Sequence, residues 1–376
     1  MQINVLVPLR YPTKKAYGTN IAYTVKALRE CGHKVEIFAD LEIQKDHLEN
    51  PIQPVQSLTI KLLKLLSQPK LGIFSKIAFH LLQVVFGIKS SRIINTRCEE
   101  NFVITRSPIV AILIENLSKS STVLLELHHL PNFLEIHLMM RYNASIYTVV
   151  TNVDFENQIR DLGFSGRVRI IPNVAPDIFH NLSKLDKKFG SPLCIGYAGK
   201  ATSSGNLNGL QIILDLLVKY PEVSSKAKFL LIGCEEEFNN QVKYYLENGM
   251  IQEGSITTVE HLSHIDLVRK IQEFDVALIP YPETPYFDRS FPIKIVEMAA
   301  AGIPILATNT KAHRRIFGAL KVPLYELNSL ESFHAEICKL DSDFLYEQRR
   351  SLVDWSRENT YLNKAQTLLR VMGASW

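Results

Sequence analysis

The stretch Val276–Thr308, VALIPYPETPYFDRSFPIKIVEMAAAGIPILAT, reads as strand, loop, helix, strand. VALIPY is a short apolar run that stops in a Pro-rich polar segment, the pattern of a buried strand. A helix is expected around Ile293–Ala301, with Ser290 as its cap and Pro292 in its first turn. Gly302 is placed to end it, and Pro304 opens the strand PILAT. Strands joined through a helix predict a parallel pair, because a tight hairpin cannot link parallel strands. Lys294 and Glu297 are the only charges on this apolar helix, and three positions apart they share a face. Burying them costs free energy unless a partner meets them. Two readings stand on the residues alone. The two side chains form an internal pair across a helix edge, or their face lines a cleft where Glu297 accepts from sugar hydroxyls and Lys294 meets a phosphate. In the second reading the helix N-terminus adds unpaired N–H groups and a positive dipole end, both suited to a diphosphate.

The same alternation extends upstream. LCIGYAG, FLLIG and ITTVEHL read as strands, with apolar residues at helical spacing between the first two (Leu210, Ile213, Leu214, Leu217). Ser263, with Asp266 three residues on, has the form of a capping box. Five strands alternating with helices predict a parallel sheet. The first forty residues repeat the scheme: INVLVP, a polar loop, a helix from about Asn20, a stop at Gly32, and the strand KVEIFAD. TVLLELHH, IYTVV and VRIIPN continue it, and the polar, Pro/Gly-bounded residues 176–192 read as a linker. The fold class expected is therefore α/β with two Rossmann-like parallel sheets.

At 376 residues the chain suffices for two domains. A net charge of +4 is too weak to argue for nucleic acid. Residues 1–180 hold 20 Lys+Arg against 15 Asp+Glu, and the remainder 22 against 23, so an anionic partner belongs with the N-terminal half. Residues 51–98 carry seven basic residues and no acidic one, interleaved with apolar clusters, which reads as a basic amphipathic surface element. It suggests an anionic membrane surface, or else an acceptor-site wall. The five cysteines are too scattered for a zinc or redox motif and read as small buried hydrophobes. Met1 runs directly into a strand-like segment without a leader pattern, and no uncharged apolar run spans a bilayer, so the expected location is cytoplasmic.

Residues 290–308 resemble the donor-binding motif of the family 4 (group 1) glycosyltransferases, which have the two-lobed GT-B fold. Pro292, Lys294, Glu297, Ala299, Gly302 and Pro304 occupy its pattern, with Met298 one place early. Further segments are similar in the right order: AYGTNIAYTVKALRECGHKVEIFAD, LLELHHLP, VRIIPNVAPDIF and IGYAGK. The resemblance implies an N-terminal acceptor-side domain over 1–178, with a C-terminal helix in 357–376 packing back on it, and a donor-binding domain over 179–356. The two would face a central cleft.

The resemblance also implies roles. Glu297 binds the donor ribose. Lys294 and Lys200 neutralise the diphosphate. Backbone groups of Ser290, Phe291 and Ile293 meet the phosphates or the sugar. Gly18 allows close approach of its loop to the diphosphate. His128, or His129 in its place, hydrogen-bonds a sugar hydroxyl, and Leu262 contacts the base. The sequence departs from the family at Arg289, where a sugar-binding glutamate is usual, and at Asn208, where a second basic residue is usual. Arg289 is then either a phosphate contact or a loop charge.

A retaining, metal-independent transfer is implied, with a UDP-sugar ahead of a GDP-sugar as substrate and no cofactor. The acceptor would be a glycan or lipid-linked glycan in surface polysaccharide or lipopolysaccharide synthesis. Two rivals stand beside this reading. A nicotinamide-dependent dehydrogenase requires a Gly-x-Gly-x-x-Gly turn that YPTKKAYGTN lacks. A binding protein with a decayed site would be marked by Arg289 and Asn208.

Overall fold

The computed structural model describes residues 1–8, 11–13, 16–39, 45–55, 58–66, 73–96, 101–118, 121–142, 145–182, 185–203, 206–207, 209–318 and 320–373. The chain divides into two compact units, Met1–Pro172 with Tyr361–Trp376, and Asn173–Thr360. The crossings thus fall at 172/173 and 360/361, not at 178/179 and 356/357. Residues 176–192 are not a linker. They belong to the second unit, where Phe179 is fully buried and Lys187 lies 3.3 Å from Asp275.

The first unit holds one parallel sheet of seven strands: β1 (Gln2–Val7), β2 (Lys34–Ala39), β3 (Ile52–Pro54), β4 (Asn101–Thr105), β5 (Ser121–Glu126), β6 (Tyr147–Val150) and β7 (Val168–Ile170). Their order is β3-β2-β1-β4-β5-β6-β7. The central strand β4, NFVIT, is buried at all five positions, although the sequence reading passed over it. Strands covered on both faces carry no period-two signal, and a five-residue run offers little else. The last helix, Tyr361–Val371, returns to this unit and packs on the helix Ala16–Glu30. Tyr23 and Tyr361 stack there with ring centroids 5.3 Å apart.

Residues 51–98 are not simply a surface element. Helix Leu58–Leu66 packs against helix Ile73–Asn95, and the latter buries Ala78, Leu82, Phe86 and Ile94 in the core of the unit. On the other side Leu62, Leu65, Leu66, Phe74, Ile77 and Leu81 stay exposed, with Lys61 and Lys76 among them. Phe74–Asn95 is also long and apolar enough to cross a membrane, but 44% of its apolar 18-residue window is already buried in the protein.

The second unit holds β8 (Leu193–Ala198), a short antiparallel pair of β9 (Thr202–Ser203) and β10 (Asn206–Leu207), and then β11 (Ala227–Ile232), β12 (Ile256–Val259), β13 (Val276–Ile279), β14 (Ile305–Thr308) and β15 (Leu324–Tyr325). Its main sheet is parallel, in the order β12-β11-β8-β13-β14-β15. In each unit the strand order reverses once, between β1 and β4 and between β8 and β13. Such reversal points open a crevice at the carboxyl ends of the strands, where ligands bind in open α/β sheets.

Candidate functional site

In the second unit the reversal point gathers three segments: the turn after β8, the loop after β13, and helix Ile293–Ala300. Helix and loop are built differently from the sequence expectation. Ser290 does not cap the helix. Residues Pro285–Arg289 form a short helix of their own, capped by Thr284, and the Ser290 hydroxyl donates back to Phe287 O at 3.0 Å. Pro292 is therefore the N-cap of the next helix and brings no side-chain hydrogen bond. Ile295 N already bonds Pro292 O at 3.0 Å, so the N–H groups of Ile293 and Lys294 are the ones left without a side-chain cap. At the other end Gly302 takes φ 66°, and Ile303 N bonds Met298 O at 2.9 Å, closing the helix as expected.

Lys294 and Glu297 do pair: Nζ stands 2.9 Å from Oε2. Glu297 is buried, whereas the Lys294 side chain keeps 24% of its exposure and lines a small cavity with Tyr197, Tyr281 and Met298. The pair is internal, and of its two members Lys294 lines the cavity. The Tyr281 hydroxyl is pushed up by burial, then by Tyr286 and the Glu297 carboxylate. Tyr281 is fixed by stacking on Phe287 at 4.7 Å and by the Thr308 hydroxyl, which donates to its carbonyl. Lys200 is exposed in the turn after β8. Tyr197 Oη donates to its carbonyl at 2.6 Å, and the Glu235 carboxylate accepts from Ala201 N at 2.6 Å and Thr202 Oγ1 at 2.9 Å. Gly209, at φ 77°, lets the chain return: a Cβ there would stand 2.1 Å from Pro280 O.

The remaining candidates divide. The Phe291 carbonyl accepts from Asn173 Nδ2 at 2.6 Å. Ile293 opens the helix and is half-buried. Leu262 is half-buried between β12 and the helix His264–Lys270, and packs on the core. Ser263 caps that helix, accepting from Asp266 N at 3.2 Å, while its hydroxyl donates to the Asp266 carboxylate. The Arg289 side chain and Asn208 lie outside the described residues. Among the described residues no group of three or more His, Cys, Asp or Glu is placed to hold a metal ion.

In the first unit His128 follows β5 beside a buried charge cluster. Arg106, just after β4, places Nε 2.9 Å and Nη2 2.8 Å from Glu126 Oε2. Lys364, from the C-terminal helix, pairs with the other carboxylate oxygen and is 1% exposed. His128 Nε2 stands 3.2 Å from Glu126 Oε2 without the alignment of a good hydrogen bond. Burial, then Arg106, pushes the His128 imidazole down to about 4 against the pull of Glu126. Burial opposes ionisation of Glu126, but Arg106, Lys364 and His128 hold it well below the usual carboxylate range. His129 is exposed. Gly18 is buried in helix Ala16–Glu30, and a Cβ there would meet Thr13 O at 2.5 Å. Its need for glycine is thus already met by the chain's own loop.

Two histidines give a pH prediction. His313, in the second unit, is also pushed down to about 4, by burial. Between about pH 6.5, where an unfolded histidine titrates, and about 4, the unfolded chain binds more protons than the folded one. Stability should therefore fall as pH drops through that window, by at most about 1.4 kcal/mol per pH unit per histidine. Urea unfolding at pH 7, 6 and 5 checks it, and equal midpoints would count against both placements.

Residues 193–343, from β8 into the last helices of the second unit, match the family model described as glycosyl transferases group 1. The family match falls within the second unit. This match contains Lys200, Lys294 and Glu297 but neither His128 nor Lys364. Solved glycosyltransferase structures share the two-unit GT-B fold over the whole chain. Sucrose-phosphate synthase from Thermosynechococcus elongatus is 14% identical, with 100% of each chain covered and a TM-score of 0.69. HepE from Anabaena, solved with UDP and glucose, is 12% identical, with 100% of each chain covered and a TM-score of 0.67. The lipopolysaccharide outer core galactosyltransferase WaaB is 14% identical, covers 100% of this chain and 99% of its own, and has a TM-score of 0.66. No curated protein matches the sequence.

The sequence reading of the second unit missed Tyr197, Tyr281 and Glu235. The tyrosines follow from the strand ends, since each sits at the carboxyl end of a strand flanking the reversal point. In the first unit Glu126 stood two residues before His128, within the quoted LLELHHLP. Lys364 carried no local signal.

Proposed function

We propose that this protein is a retaining, metal-independent glycosyltransferase that moves a sugar from a nucleotide-sugar, UDP-linked ahead of GDP-linked, to a glycan or lipid-linked acceptor. The observation that carries this reading is the Lys294–Glu297 pair on an uncapped helix N-terminus at the reversal point of the unit that holds the group 1 glycosyltransferase match. Free N–H groups and a lysine suit a diphosphate, and a carboxylate suits a ribose diol. HepE, solved with UDP and glucose, supports UDP as the first nucleotide to try. In this mechanism the protein supplies position and neutralises the leaving diphosphate through Lys294, Lys200 and the helix end. His128 hydrogen-bonds a hydroxyl of the transferred sugar.

Calorimetry with UDP, GDP and ADP, with and without a chelator, tests the site. One nucleotide should bind wild type regardless of chelator, and Glu297→Ala should weaken it by about 1–3 kcal/mol, the loss of hydrogen bonds to a buried carboxylate. Equal binding by the variant would remove Glu297 from the site. A nucleotide that binds without sugar transfer in any donor panel would leave a binding protein as the function.

The likeness to WaaB, a lipopolysaccharide outer core galactosyltransferase, supports a lipopolysaccharide or other surface-glycan acceptor. The exposed Leu65, Leu66, Phe74 and Ile77, set among Lys61 and Lys76 in a segment without acidic residues, suit an anionic bilayer. Wild type should float with vesicles containing phosphatidylglycerol, and Leu65→Glu/Phe74→Glu should not. Flotation that ignores both lipid charge and the double substitution would end the membrane reading.

A further inference from the structure

The charge cluster beside His128 is assembled by elements far apart in the chain. Glu126 ends β5, and the bend that follows buries Leu127 and brings His128 Nε2 to 3.2 Å from Glu126 Oε2. Arg106 follows β4, the neighbour of β5 in the sheet. Lys364 comes from the C-terminal helix and pairs with Glu126 across 238 positions. Asn20, in helix Ala16–Glu30, accepts from Arg106 and lies 3.5 Å from Lys364 Nζ. The charged groups acting on His128 are therefore Glu126, Arg106 and Lys364, one from each of three packed elements, with neutral Asn20 from a fourth.

Stability does not explain this arrangement. Replacing a buried ion cluster with apolar side chains of similar volume is often neutral or favourable, because two or more charges must be desolvated. The carboxylate is also held at both ends. Oε2 takes two nitrogens of Arg106, and Oε1 takes Lys364, so Glu126 cannot swing away from the imidazole.

We propose that Glu126, clamped between Arg106 and Lys364, is a positioning residue for His128, and that Lys364 makes the C-terminal helix part of the sugar-contacting edge of the first unit. The proposal rests on the reading of His128 as the sugar-contacting histidine. Two cations against one anion leave a positive surplus around the imidazole, which together with burial favours its neutral form. A neutral imidazole hydrogen-bonds a hydroxyl without placing a second positive charge beside a sugar carbon that becomes cationic in the transition state. Lys364 acts through Glu126 and touches no substrate.

The test is the titration of His128 in the full-length protein, read from the ring Cε1–H signal in NMR and identified by its disappearance in His128→Ala. In Lys364→Met the carboxylate faces Arg106 alone, so the His128 midpoint should rise by about one pH unit. Below that new midpoint kcat should fall several-fold while the donor KM stays within about two-fold, since only one protonation state is lost. In Glu126→Gln/Lys364→Met only Arg106 remains, and the midpoint should fall back to the wild-type value or below. Opposite movements of this kind do not arise from a loosened helix. If Lys364→Met leaves the midpoint in place, or both variants shift it in the same direction, the proposal fails while the function stands. If His128→Ala turns over like wild type, the assignment of His128 fails and takes the proposal with it.

Discussion

Lys294→Ala should lower kcat by about 10²–10³-fold, the usual loss when one preorganised group that neutralises developing charge is removed. Lys294 sits in the first turn of helix Ile293–Ala300, partly exposed, with its ammonium 2.9 Å from the Glu297 carboxylate. In the proposed reaction the leaving diphosphate gains negative charge just where this ammonium and the free N–H groups converge. The attraction is stronger in the transition state than in the bound donor, so kcat suffers more than the donor KM. Lys294→Arg should restore little, because a planar fork does not replace a compact ammonium on a helix already committed to Glu297. The measurement is turnover at saturating donor, with thermal melting alongside, since the variant also leaves Glu297 without its partner. A folded variant with wild-type kcat would show that this end of the helix does not meet the diphosphate.

The largest stability effect should come from Glu126→Ala, at about 3–5 kcal/mol, because it leaves the Arg106 and Lys364 charges buried without their counter-ion. Lys364→Met should cost much less, since Glu126 keeps both nitrogens of Arg106. The effect also has a pH sign. A carboxyl held below its ordinary range contributes stability above that range and loses it as pH falls through its own depressed value. Wild type should therefore lose the Glu126 contribution only in strong acid, after the two histidines have exerted theirs. The two units need not unfold together, so a single melting temperature does not isolate this loss. Hydrogen exchange at the amides of β4 and β5 reads the first unit alone. Protection there that is unchanged in Glu126→Ala would contradict the burial of this cluster.

The second unit was the more legible half. VALIPY and PILAT appear as β13 and β14, and Lys294 and Glu297 share a face because helical spacing requires it. Errors there were local. The sequence reading gave Ser290 to the wrong helix, because Pro285–Arg289 formed a turn of its own and drew the Ser290 hydroxyl backward. The short edge strand β15 was not expected. The first unit was harder to read. Two of its seven strands were not read, β3 at the start of the basic stretch and β4 just after it, and β4 is central to the sheet. Its helix Ile73–Asn95 is apolar on nearly every side, so periodicity could not say which face is buried.

The sequence by itself determined the parallel sheets, the helix between β13 and β14 and the shared face of its two charges. Each of these depends on residues within a few turns of one another, where spacing and caps act directly. Only the tertiary structure decided that Lys364 meets Glu126, that Asn173 donates to the carbonyl of Phe291, and that the loop of Gly18 is filled by Thr13. The contacts of Lys364 and Asn173 join residues more than a hundred positions apart, and that of Gly18 depends on the path of a loop. A buried lysine and an exposed one look alike in a sequence. Their difference is the desolvation that the folded chain imposes and the carboxylate it brings to meet the charge.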